Sequence, residues 1–421
     1  MAANLLFFLI LIMIWGMLLY HMFLTHGGYA EAVRFRNTVQ NKFFPMENYP
    51  KVSILIPAHN EEIVLQDTLE AMRKLKYPEG MLEVIVINDN SSDHTGAISS
   101  RYAAQNSQIK SVQTSPPFAG KGKSSALNYG LEHATGEIIV VYDADNVPDE
   151  MAVLRLAAAL KNDAEAGAVI GRFRVINANQ NLLTRFINIE TICFQWMAQA
   201  GRWHWLKFAT IPGTNFAIRR HLLDSLGGWD PGALTEDTEL SIRVYNMGYY
   251  IRFLPNALTW EQEPETFGVW WRQRTRWARG NLYVVVKYLF KWRELKKKTI
   301  LLDLFYFFFT YFMFLCGILA SHGILVLNLF TDLHLKHGSI AFVLLIMAFL
   351  LFVTEVLLGL SIEKNELTLK NILVVLFMYF TYSQLWILLV IHALILEVKR
   401  VCLQQEVRWD KTERYKQNQS A

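Results

Sequence analysis

Where the apolar residues fall limits this chain more than any other feature. Residues 5–24 carry no charge and are long enough to cross the hydrocarbon core of a bilayer as a helix. Three similar segments lie at the other end: 301–330 with charge only at Asp303, 339–362 with only Glu355, and 371–396 with none. With 52% of 421 residues apolar and so unevenly placed, two differently solvated regions are expected rather than one uniform globule. The first segment has no basic stretch before it and is longer than the apolar part of a cleaved signal, so it is read as an uncleaved anchor.

Basic residues border the polar middle. Arg34, Arg36 and Lys42 follow the first segment, and Lys291, Arg293, Lys296, Lys297 and Lys298 precede the second. The bias of Lys and Arg toward the inner side makes the middle cytoplasmic. The expected division is an anchor at 1–28, a cytoplasmic domain with interfacial helices at 45–298, membrane helices at 299–398, and a basic tail at 399–421. One conflict arises within this frame. Four crossings starting outside would leave the tail outside, although it carries Lys399, Arg400, Arg408, Lys411, Arg414 and Lys416. Either a segment is re-entrant or the charge rule fails here.

The net charge of +4 is too small to argue for nucleic acid as a partner, and the lipid bilayer accounts for the basic borders. Cys193, Cys316 and Cys402 show no paired metal spacing and are read as packing residues.

Between about 50 and 175, short β-branched runs alternate with longer amphipathic stretches. The runs are Val52 to Ile56, Val84 to Ile87, Ile138 to Tyr142 and Ala168 to Ile170. This is the pattern of a mainly parallel sheet with helices on both faces, where ligands bind beyond the carboxyl ends of the strands. Polar clusters follow three of the runs, beginning at Pro57, Asn88 and Asp143. Gly120-Lys121-Gly122-Lys123-Ser124 looks like the end of a phosphate loop, but Pro117 stands where that motif needs its first glycine.

Asp143 and Asp145, two apart at a strand end, point to one side and suit a hard divalent cation, Mg²⁺ or Mn²⁺. Downstream lie Thr235-Glu236-Asp237 and, later, Gln273-Arg274-Thr275-Arg276-Trp277. On a helix Gln273, Arg276 and Trp277 share a face, placing an amide, a guanidinium that grips pyrophosphate and a flat apolar platform side by side. An interfacial helix with Trp270, Trp271 and Trp277 at headgroup level fits the same residues. On either reading Trp270, outside the motif, is expected to tolerate leucine.

Taken in order, the Asp89 cluster, Asp143-Ala144-Asp145, Thr235-Glu236-Asp237 and Q-x-x-R-W from Gln273 to Trp277 resemble the family 2 glycosyltransferases. The resemblance is to the processive branch that includes cellulose, hyaluronan and poly-N-acetylglucosamine synthases, and it covers roughly 50–295. It implies a GT-A-like α/β fold flanked by transmembrane helices and transfer from a UDP-sugar donor to a growing polysaccharide. By the same resemblance His59 and Glu61 line the uridine pocket, Asp89 reads the uracil edge, and Lys123 lies near the diphosphate. Asp143 sits close to the nucleotide and Asp145 is the main metal ligand. Asp237 is the general base, and Gly213 with Glu236, Gln273, Arg276 and Trp277 surrounds the acceptor end and pyrophosphate. Many relatives have tyrosine at the place of His59 and aspartate at that of Asn88.

Three functions are compatible with these residues. The first is an inverting synthase that exports a β-linked exopolysaccharide, with N-acetylglucosamine the favoured sugar. The second is a nonprocessive enzyme acting on a lipid acceptor, and the third a non-catalytic UDP-sugar-binding subunit of an export complex. An accessory membrane subunit and cyclic-dinucleotide control stay open.

Overall fold

The computed structural model describes residues 2–38, 48–296, 299–309, 319, 323, 338–403 and 412–415. Lys42, Lys297, Lys298, Cys316, most of the 301–330 segment, Arg408, Lys411 and Lys416 lie outside them.

One eight-stranded sheet organises the middle of the chain. In chain order its strands are β1 (Val52–Ala58), β2 (Leu82–Asn88), β3 (Ile109–Gln113), β4 (Ile138–Val141), β5 (Val147–Pro148), β6 (Ala166–Val175), β7 (Phe216–Arg219) and β8 (Tyr250–Glu261). They lie side by side as β3-β2-β1-β4-β7-β6-β8-β5. The first four neighbours are parallel, as the β-branched runs require. β7 then enters antiparallel between β4 and β6, and β8 is parallel to β6. β7 was not foreseen, because Phe216-Ala217-Ile218-Arg219 is too short to show a period.

Both faces are covered, so alternate strand residues feed two cores. Ile54, Ile56, Val84 and Val140 face one with α2 (Leu65–Arg73) and α5 (Ala152–Lys161). Leu55, Ile85, Ile87 and Ile139 face the other with α4 (Lys123–His133), α9 (Glu236–Asn246) and α10 (Phe267–Leu289). That second core is continuous with Leu304, Val356, Leu360 and Leu389 of the apolar helices.

These are α1 (Ala2–Thr38), α11 (Thr299–Phe308), α12 (Gly338–Ile362), α13 (Leu369–Phe380) and α14 (Tyr382–Cys402). Two helices, Phe8–Arg36 and Leu369–Arg400, are long and apolar enough to cross a membrane. α1 lies backbone to backbone on the π-helical stretch Phe194–Ala200 that links α6 (Leu182–Cys193) to α7 (Gly201–Leu206). A Cβ at Gly28 would fall 1.8 Å from the Trp196 carbonyl oxygen, so only glycine allows this approach.

The 371–396 segment is divided at Thr381 and returns to the domain at both ends. Arg185 donates to Asn371 at 3.0 Å, the Trp270 indole to the Tyr382 hydroxyl at 3.0 Å, and Arg279 to Glu397 at 2.7 Å. The turn before it is also docked, since Glu363 pairs with Arg172 and accepts from the Trp196 indole at 2.6 Å. Glu355 is buried in α12, and Cys402 is exposed rather than packed.

Candidate active site

The carboxyl ends of β1, β2 and β4 open into a cavity of about 390 Å³. β1 ends at Ala58, and His59 follows with Nδ1 2.6 Å from the Asp89 carbonyl oxygen, so that nitrogen carries the proton. Its Nε2 then accepts from Asn60 at 3.1 Å. Asp89 is buried after β2, where its Oδ1 accepts from the Thr114 hydroxyl at 2.8 Å and the Gly120 amide at 2.7 Å. A carboxylate fixed by two donors is a preorganised hydrogen-bond acceptor at the cavity edge.

Lys123 opens α4 and crosses the floor. Its ammonium lies 2.6 Å from Asp143 Oδ1 and 3.6 Å from Glu236 Oε1, and donates to the Gly213 carbonyl at 2.9 Å. Burial works against this charge, but Asp143 and Glu236 outweigh it and raise the lysine pKa. The turn Gly213-Thr214-Asn215 is pinned on both sides. Thr214 accepts from the Asp143 amide at 3.1 Å, and Asn215 donates to the Arg172 and Ala257 carbonyls, each at 2.9 Å. Gly213 has φ +86°, and a Cβ there would lie 3.0 Å from Asp237 Oδ2, so glycine satisfies both the backbone and the space.

Asp237 belongs to the first turn of α9, where the helix N-terminus favours acidic residues. Its Oδ1 accepts from the Thr238 amide at 2.7 Å. Burial, with Glu236 adding to it against the pull of Lys123, pushes this carboxyl up to about 7. Two residues on, buried Glu239 ties α9 to α10 by accepting from Lys287 at 2.9 Å and Tyr288 at 2.8 Å.

On α10, Gln273, Arg276 and Trp277 share the cavity-facing side. Arg274, between them, is fully buried, 3.1 Å from Glu190 and 3.7 Å from Glu263. Its guanidinium lies 3.9 Å from the centre of the Trp277 ring, which fixes the plane of that indole. Trp270, expected from sequence to tolerate leucine, is fully buried.

His59, Glu61, Asp89, Lys123, Asp143, Asp145, Gly213, Glu236, Asp237, Gln273, Arg276 and Trp277, the residues singled out from sequence, all line this one cavity. Sequence reasoning missed Glu190, Glu263 and Arg274, although Arg274 lies inside the Q-R-T-R-W string. It also missed Arg414, whose Nη1 is 2.8 Å from Asp145 Oδ2. Among the described residues no group of three or more His, Cys, Asp or Glu is arranged to hold a metal ion. Asp143 and Asp145 nevertheless suit a cation, because each already holds a positive group, Lys123 and Arg414.

The fold has a solved counterpart. A mannosyltransferase from Pyrobaculum calidifontis, in complex with GDP-Man and Mn²⁺, superposes with TM-score 0.59 at 20% identity over 85% of this chain and 97% of its own. The fold is therefore GT-A-like. Residues 50–280 match the family described as "Glycosyltransferase like family 2", and the chain belongs to that family. "Probable glycosyltransferase YdaM" of Bacillus subtilis (strain 168) is 60% identical over 418 residues, 99% of this chain and 100% of its own. The poly-beta-1,6-N-acetyl-D-glucosamine synthase of Staphylococcus epidermidis is 32% identical over 256 residues, 61% of this chain and 60% of the synthase.

Proposed function

We propose that this glycosyltransferase extends a β-linked, exported polysaccharide from a UDP-sugar, with N-acetylglucosamine as the sugar. The observation that carries this reading is the aromatic part of the cavity lining. Besides Lys123 and Asp237, the lining takes in Trp277, Phe194, Tyr306 and Phe307 of α11 and Trp386 of α14. A lipid acceptor would need only the mouth, whereas a growing chain uses an aromatic-lined passage toward the apolar helices. The likeness to a poly-N-acetylglucosamine synthase supports the choice of sugar.

In this mechanism the acceptor hydroxyl attacks the anomeric carbon and gives its proton to Asp237. The bond from that carbon to the diphosphate oxygen breaks, its electron pair leaves with UDP, and configuration inverts. Asp89, Glu61 and His59 hold the nucleotide, and Lys123 faces the diphosphate. Gln273, Arg276, Glu236 and Gly213 bound the acceptor end, with Trp277 beneath the terminal sugar. Asp145 and Asp143 would hold Mg²⁺ or Mn²⁺, which when bound offsets leaving-group charge.

An orientation is proposed with this reading. Arg414 reaches Asp145, so tail and catalytic domain share the cytoplasmic side. The segment from α13 to α14, although long and apolar enough to cross, then does not cross, which removes the conflict over the basic tail. The division into anchor (1–28), catalytic domain (45–298), membrane helices (299–398) and tail (399–421) is kept as part of the proposal, with the α13 to α14 part re-entrant.

The test is incubation of membranes containing the protein with a panel of labelled UDP-sugars, followed by product sizing. UDP-N-acetylglucosamine is expected to give a long polymer, and excess EDTA to abolish it until Mg²⁺ or Mn²⁺ is restored. A single sugar added to lipid would favour the nonprocessive enzyme, and full activity in EDTA would refute the cation. Acidity supplies a second check. With the Asp237 carboxyl raised to about 7, kcat/KM is expected to be flat above that pH and to fall about tenfold per unit below it, as a single essential base requires. A profile flat down to pH 5.5 would remove Asp237 from that role.

A further inference from the structure

We propose that the C-terminal segment, through Arg414, and a divalent metal ion compete for Asp145. This rests on the assignment of Asp145 as a cation ligand made above. Five carboxylates crowd one corner of the cavity: Glu61, Asp143, Asp145, Glu261 and Glu263. Those buried acids that stay ionised need positive partners. Lys123 answers Asp143 and Arg274 answers Glu263. Asp145 is answered from far along the chain, by Arg414 Nη1 at 2.8 Å, with Arg414 Nε 3.8 Å from Glu61.

The segment is held there by more than that ion pair. Gln262, just past β8, clasps Tyr415 in both directions, accepting from its amide at 2.8 Å and donating to its carbonyl at 2.7 Å. Arg414 Nη1 also donates to the Gln262 carbonyl at 3.0 Å, and Glu413 pairs with Arg272 at 2.5 Å. The Gln262 amide donates to the same Asp145 Oδ2 at 3.1 Å, so one residue orients the carboxylate and holds the tail.

A hard cation takes carboxylate oxygens at about 2.0–2.6 Å and displaces a guanidinium from the same oxygen, because two positive groups cannot share it at contact distance. Metal entry therefore expels Arg414, and by reciprocity whatever strengthens the tail clasp weakens metal affinity. The basic tail, which the catalytic reading leaves without a task, becomes a built-in competitor that keeps the acid cluster neutralised between turnovers.

The experiment is Mn²⁺ titration of the purified full chain in detergent without nucleotide, following free Mn²⁺ by electron paramagnetic resonance. Arg414→Ala is expected to bind Mn²⁺ about tenfold more tightly than wild type, a usual size for coupling between two sites. The gain should vanish in the Arg414→Ala, Asp145→Ala double variant. Equal affinity in wild type and Arg414→Ala would overturn the competition while leaving the cation reading intact. Absence of Asp145-dependent Mn²⁺ from every variant would overturn both. A measurement on unaltered protein guards against misfolding of the variant. Hydrogen exchange of a peptide spanning Thr412 to Tyr415 should speed up on adding Mg²⁺ alone, as the Tyr415 amide loses Gln262. Unchanged or slower exchange would overturn the proposal.

Discussion

Asp237→Asn is expected to lower kcat by about a hundredfold or more, the usual contribution of a general base, with UDP-sugar binding retained. The amide is isosteric, and its oxygen can still accept from the Thr238 amide, which lies 2.7 Å from Oδ1 in the parent. The start of α9 is therefore kept, as is the hold of Glu239 on Lys287 and Tyr288. What is lost is the ability to take a proton. Removing this acid also relieves repulsion at Glu236, so Lys123 remains paired and the diphosphate end of the cavity is preserved. Steady-state kinetics together with UDP binding on the same preparation decide the matter. Loss of binding in parallel with turnover would make Asp237 a nucleotide contact and move the base elsewhere.

What could be read in the sequence follows from the range of each interaction. β1, β2, β4 and β6 were legible because both faces of the sheet are covered and each strand contains a short, mostly β-branched apolar run. Asp89, Asp143, Asp145, Glu236 and Asp237 were legible because each stands at a strand end or a helix start, where local pattern and chemistry coincide. Contacts between distant segments were not. Nothing near position 414 indicates that its side chain reaches Asp145, and nothing near 381 shows that the apolar run is broken there and contacts the domain at both ends. Arg274 was overlooked for a related reason. A helical wheel groups Gln273, Arg276 and Trp277, but it cannot show that the intervening arginine is buried between Glu190 and Glu263 and stacks on the indole.

The tryptophans of α10 show how burial reverses an expectation drawn from spacing. From sequence, Trp277 was the residue that chemistry needs and Trp270 the dispensable one. In the structure Trp270 is fully buried, donates to Tyr382 at 3.0 Å, and through that hydroxyl reaches Glu190 at 2.5 Å. Trp270→Leu leaves a void and strips a hydrogen bond from a buried chain that also holds Arg274. It is expected to cost on the order of 3 kcal/mol, as large-to-small core changes do, and to lower the melting temperature in detergent. Trp277 faces the cavity instead, so Trp277→Leu loses little packing and about 1–2 kcal/mol of cation–π contact with Arg274. That variant should insert, keep most of its melting temperature and bind UDP-sugar, yet make no long polymer, because the flat surface under the terminal sugar is gone. Trp277→Phe, which restores an aromatic face, should recover part of the polymer yield. Melting temperature, UDP binding and product length on the same three variants separate the roles. Long polymer from Trp277→Leu would show that the indole is only an anchor in the interface, and the case for a processive synthase would then rest on the other aromatic residues of the cavity lining alone.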